Sequence, residues 1–114
     1  MMQEQIKKRT KQAGLEVIKL IDELPGKPSA WANSKQIIRS STSIGANYRA
    51  ACRAKSSADF INKLKIVEEE ADETQYWLEV LEESKLINSG RIETIKKDVN
   101  EIVSIVVASI KTMR

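Results

Sequence analysis

Residues 92–113 read IETIKKDVNEIVSIVVASIKTM, and this stretch decides between strand and helix. Its apolar residues are mostly β-branched, which argues for a strand. Its spacing argues otherwise. Ile92, Ile95, Val99, Ile102, Val106 and Met113 recur at alternating steps of three and four, with Ser109 filling the gap. A half-buried strand needs a period of two, and the consecutive polar residues Lys96, Lys97 and Asp98 break it. Period outweighs propensity here, and the segment is predicted to be a helix.

The same period fills the rest of the chain. Ile6, Ala13, Val17, Leu20 or Ile21, and Leu24 line one face of a first helix over about 3–24. Pro25-Gly26-Lys27-Pro28 ends it, because a proline disfavours helix in the residue before it. Ser29 is the expected N-cap of a second helix over 29–54, with Ile37, Ser41, Ile44, Tyr48 and Ala51 as its core stripe. A third helix over 57–86 is capped by Ser56 or Ser57, with Asp59 three residues after Ser56 as in a capping box. It carries Phe60, Leu64, Val67, Ala71, Leu78 and Leu81. Asn88-Ser89-Gly90 is the next break, and the fourth helix is expected over 89–112. Four helices joined by short loops predict an all-α protein, an up-down-up-down four-helix bundle forming one domain over 1–114.

Composition agrees and narrows the function classes. A chain of 114 residues is about one domain. Four Gly and two Pro are too few for an all-β protein full of tight turns. With no His, the commonest general base and metal ligand is missing, and so are the Glu-x-x-His pairs of di-metal bundles. Glu68, Glu69, Glu70, Asp72 and Glu73 run all round their helix instead of converging, so they read as solvated or salt-bridged. Cys52 has no His or second Cys to activate it and sits among Ala50, Ala51 and Ala54 as a small buried thiol. The reading is no enzyme, no catalytic residue, no metal and no cofactor. A lone cysteine fits a reducing, cytoplasmic setting. The basic start of the chain has no apolar run behind it, so no signal peptide is expected. No segment is long and apolar enough to span a membrane.

What stands out is the distribution of charge. Residues 25–55 hold six basic residues and no acid, while residues 56–88 hold three basic residues and nine acids. At about 100° per residue, Lys35, Arg39, Arg49 and Arg53 fall within an arc of roughly 80°, nearly opposite the core stripe. Three readings compete for this stripe: a solvated face, a contact with the acidic helix of a neighbouring subunit, and a phosphate contact for RNA or DNA. Side stripes of Ile66, Trp77 and Val80 on helix three, and of Val103 and Ile110 on helix four, lie off the core faces. A helix apolar over more than one stripe usually has more than one partner, so these five residues are the expected oligomer interface. For Trp77 the alternative is a core-edge residue under helix one. Ser40, Ser41, Ser43, Gly45 and Ala46 are expected to let a neighbouring backbone come close. Asn47 is either partly exposed or a buried amide bonding across helices.

Residues 38–87 also resemble a known family. Ser43-Ile44, Asn47, the small and basic run from Arg49 to Lys55, Ser56 with Asp59-Phe60, and the acidic, Leu-rich helix from Glu68 to Leu81 are similar to the proteins encoded in intervening sequences of bacterial 23S ribosomal RNA genes, the S23 ribosomal protein family. Many members read Asn-x-Ala-Glu-Gly where this chain has Asn47-Tyr48-Arg49-Ala50-Ala51, which removes an acid and adds a base. The resemblance implies a left-handed up-down bundle that assembles into a homopentameric ring, and it carries no catalytic residues. One branch of the family, the accessory variability protein of diversity-generating retroelements, is a basic pentamer that works with a reverse transcriptase and its template RNA. The family's ribosomal name reflects gene location.

The resulting expectation is a non-enzymatic homo-oligomer, a pentamer by resemblance, that binds RNA or DNA or acts as a scaffold through Lys35, Arg39, Arg49 and Arg53. The alternative is a pure assembly or adaptor protein, in which that stripe pairs with Glu69, Asp72, Glu73 or Glu79 of the adjacent subunit. Neither a membrane nor a small-molecule substrate is indicated.

Overall fold

The computed structural model describes residues 3–87 and 90–113. They form four helices: α1 (Gln3–Ile21), α2 (Pro28–Ala51), α3 (Ser57–Glu83) and α4 (Arg91–Met113). No strand occurs among the described residues. The connections are far shorter than the helices they join, so successive helices run antiparallel. Each packs on its neighbours in a closed square, α1 on α2, α2 on α3, α3 on α4 and α4 on α1, while the backbones of the two diagonal pairs stay apart. The bundle measures 45 × 22 × 20 Å.

The helices begin and end for local reasons. Lys27, not Ser29, is the N-cap of α2, and Pro28 follows at the first helical position. Proline there has its φ already set and lacks an N–H that would go unbonded anyway. The α3 cap is as predicted: Ser56 Oγ accepts from Asp59 N at 3.1 Å. The Asp59 carboxylate reaches back one residue further than a capping box requires, to Lys55 N at 3.4 Å. The first three helices stop about three residues short of the predicted ends. Tighter bonds finish them, Glu23 N to Leu20 O, Leu24 N to Ile21 O, and Ala54 N to Ala51 O. After α3, Lys85 adopts φ 59°, the left-handed position usually given to glycine, and the helix cannot continue. Of the predicted Asn88-Ser89-Gly90 break, Asn88 and Ser89 lie outside the described residues.

One core runs the length of the bundle. Val17, Leu20, Ile37, Ile44, Leu64, Val67, Leu78, Leu81, Val99 and Ile102 are at most 1% exposed. The predicted stripes supply nearly all of it, with two exchanges on α4. Met113 is exposed, and Ile110, expected at an oligomer interface, is 6% exposed and belongs to the core. The step from Val106 is therefore four, to Ile110, and not seven to Met113 by way of Ser109. Polar groups inside are bonded locally. The Thr74 hydroxyl donates to Glu70 O at 2.8 Å on its own helix and lies 3.0 Å from the Ser40 hydroxyl across the α2–α3 seam. Tyr48 is 3% exposed, and burial, with Cys52 beside it, pushes its phenol well above the ordinary range.

The α1–α2 crossing depends on Gly45. A Cβ built there lies 3.3 Å from Thr10 C and Lys11 N, which are backbone atoms. A Cβ built on Gly14, opposite, would lie 3.4 Å from Ser41 O. The predicted close approach is real, and its partner is α1. Asn47 is half-buried and bonds back to Ser43 O at 2.9 Å, so it does not bridge helices.

Candidate nucleic-acid and subunit-contact surfaces

The basic stripe of α2 does not act as one surface. Lys35, Arg39, Arg49 and Arg53 are all exposed, but their surroundings differ. Arg39 leans over the α2–α3 seam, where it pairs with Glu70 at 3.2 Å and with Glu73. The Trp77 indole N–H also donates to Glu73 Oε2, at 3.2 Å. The Trp77 bond and the Arg39 guanidinium together hold the Glu73 carboxyl below the usual range, and the Glu73 bond raises Arg39 in turn. Glu73 is thus engaged within its own subunit, as is Arg39. Lys35 stands over the Trp31 ring, 4.6 Å from its centroid, and Trp31 is 66% exposed. Arg53 lies in the turn after α2. Arg49 leans the other way, toward α1.

There it meets three lysines. A groove of about 500 Å³ runs between α1 and α2, with Lys7, Lys8, Lys11 and Arg49 on its rim and Glu4 as its one acid. Glu4 pairs with Lys7 at 3.0 Å. The floor is apolar or small: Gly14, Leu15, Ile18, Thr42, Gly45 and Ala46. The missing side chains of the two glycines let the helices close and leave the surface sunken. Sequence reasoning passed over the α1 lysines. The signal was present in Lys7-Lys8-Arg9-Thr10-Lys11, but the segment's overall charge is nearly balanced, and only the packing of α1 on α2 brings these lysines to Arg49.

The acids are arranged differently. Glu69, Asp72, Tyr76, Glu79 and Glu83 are exposed and follow each other at steps of three and four, which makes one outward ridge on α3. Tyr76 is 56% exposed and meets Trp77 edge to face at 5.0 Å between centroids. Ile66 is 36% exposed, while Trp77, Val80 and Val103 are half-buried. Trp77 is a partly buried residue packed against the core. The far side of the bundle is zipped shut within the subunit. Gln75 donates to Lys96 O at 2.8 Å and to Asn100 Oδ1 at 2.9 Å, and Lys96 reaches Glu82 at 3.3 Å. Arg9 reaches Glu101 at 2.6 Å, and Arg91 pairs with Glu23.

Among the described residues no group of three or more His, Cys, Asp and Glu is arranged to hold a metal ion. Among the described residues no helix is long and apolar enough to cross a membrane. The profile of the 23S rRNA-intervening sequence protein family matches residues 2–108. The chain belongs to this family. A crystal structure at 1.70 Å resolution of a protein of unknown function from the S23 ribosomal protein family, from Bacteroides thetaiotaomicron VPI-5482, superposes with a TM-score of 0.89. The two are 40% identical over 97% of this chain and 99% of that one. No curated protein matches the chain. The resemblance drawn from residues 38–87 therefore extends over nearly the whole sequence.

Proposed function

We propose that this protein is a non-enzymatic, homo-oligomeric helical bundle that binds nucleic acid, RNA first, along α2 and the turn that follows it. The observation that carries the reading is the acid-free span of residues 25–55, whose Lys35, Arg53 and Lys55 are exposed and have no ion-pair partner among the described interactions. Arg39 is removed from the expected set by its pairing with Glu70 and Glu73. A net charge of +3 is small for a monomer. Repeating a weak patch around an assembly raises its avidity without any new contact. The resemblance to pentameric relatives supports a closed ring of five.

The test is a salt titration of binding to a structured RNA, paired with a light-scattering mass. Binding is expected to fall steeply with salt. The Lys35→Ala, Arg53→Ala, Lys55→Ala triple variant should weaken it at least tenfold and flatten the salt slope by roughly 0.7–0.9 for each phosphate contact removed, with the mass unchanged. An oligomer that binds no RNA at low salt sinks the nucleic-acid half of this reading. The pure assembly protein then remains, a second reading that the apolar floor of the α1–α2 groove favours.

A further inference from the structure

We infer that the α1–α2 groove receives the acidic ridge of α3 from a second copy of this chain, so that copies join head to tail. The inference rests on the self-association in the reading above and names the two faces that carry it.

The groove is an unusual surface for a protein with nothing docked on it. Leu15 and Ile18 line it and are 43% and 37% exposed, two of the few large apolar side chains the fold leaves in water. Four cations surround them, and three of these, Lys8, Lys11 and Arg49, have no ion-pair partner among the described interactions. An apolar floor inside a basic rim matches an amphipathic acidic helix better than it matches a bare phosphate backbone, which offers nothing to cover leucine and isoleucine.

The same fold presents such a helix face. Glu69, Asp72, Glu79 and Glu83 project from α3 around Tyr76, with Ile66 on the flank. Glu69, Asp72 and Glu83 have no ion-pair partner among the described residues, and Glu79 has only the charge of Lys96 nearby. The lengths agree: at 1.5 Å per residue the ridge from Glu69 to Glu83 is about 21 Å and the groove wall from Lys7 to Ile18 about 17 Å. Tyrosine is the side chain best suited to such a seat, being large, rigid and polar at one end. Opposed charges at the rim would fix register and speed encounter.

The groove lies on α1 and α2 and the ridge on the outer face of α3. The contact therefore joins two unlike faces, a heterologous interface. A groove–ridge contact repeated from copy to copy in one direction makes a ring or an open filament.

The experiment is a charge swap read by light-scattering mass, with helicity checked by circular dichroism. Every residue changed is exposed, so the fold should survive. Lys11→Glu with Arg49→Glu is expected to raise the subunit dissociation constant at least a hundredfold, as is Glu69→Lys with Asp72→Lys. The chain carrying all four changes should reassemble, because the swapped faces again match. A four-change chain that stays monomeric while each pair also dissociates overturns the assignment of these two faces as mates. A groove pair that keeps its wild-type mass and loses RNA binding also overturns it and makes the groove a nucleic-acid site. If wild type is itself monomeric, the self-association reading fails. If wild type assembles but ignores both swaps, only this inference fails.

Discussion

Replacing Gly45 tests how the α1–α2 face is built. In an exposed helix interior, Gly→Ala stabilises by about 1 kcal/mol, because glycine gives up more backbone freedom on folding. At Gly45 the new Cβ would sit 3.3 Å from Thr10 C and Lys11 N. Those atoms belong to a helix backbone and cannot rotate away, so α1 must move by a few tenths of an ångström. Forcing extra carbon into a packed seam costs about 1–3 kcal/mol. The net for Gly45→Ala is a loss of about 1 kcal/mol. Gly45→Val adds two further carbons and a β-branched penalty of several tenths, for a net loss of about 3 kcal/mol. Urea unfolding followed by circular dichroism gives both values, with Gly26→Ala as a control in open space. The same valine fills the groove floor, so the oligomer should weaken beyond what the stability loss explains. A Gly45→Ala variant about 1 kcal/mol more stable than wild type would refute the close crossing and the argument for a sunken groove.

Three further outcomes follow from the side-chain environments. Arg39→Ala should cost under about 1 kcal/mol, because its side chain is half exposed and its ion pairs are solvent-screened, and it should leave RNA affinity unchanged within twofold; both are read from melts and titrations. Glu73 has a folded pKa below its ordinary 4.5, so its contribution to stability is present above that value and lost as pH falls through the folded one. Glu73→Gln should therefore be less stable than wild type near neutral pH and converge with it in acid, in a pH series of urea melts. Ile110→Ala should cost about 2–5 kcal/mol as a core truncation, whereas Ile66→Ala should cost under about 1 kcal/mol in the monomer and act on the oligomer's mass.

The fold was legible because period survives where propensity misleads. The β-branched α4 is a helix, and the stripes of α1, α2 and α3 face inward as spaced. What failed was local. Sequence placed the α2 cap at Ser29, although Pro28 at the first helical turn needs no side-chain cap. It ran α3 past Glu83, although Lys85 turns left-handed. It put Ile110 outside because the heptad-like count continued to Met113, while the last turn of α4 rotates Ile110 inward. The surface was harder to read. A helical wheel gives an angle, not a neighbour, so it gathered Arg39 and Arg49 onto one stripe. Packing sends Arg39 to Glu70 and Glu73 on α3 and Arg49 to the lysines of α1. The α1 lysines stayed hidden because Glu4, Glu16, Asp22 and Glu23 nearly balance the basic residues in a count over 1–24, although only Glu4 shares the groove.

The central claim is that this bundle works as an assembly of copies, and the mass in solution tests it most directly. Light scattering at tens of micromolar should give a multiple of the 12.9 kDa chain, and a closed ring of five weighs about 65 kDa. A single species at 12.9 kDa under those conditions would contradict the account.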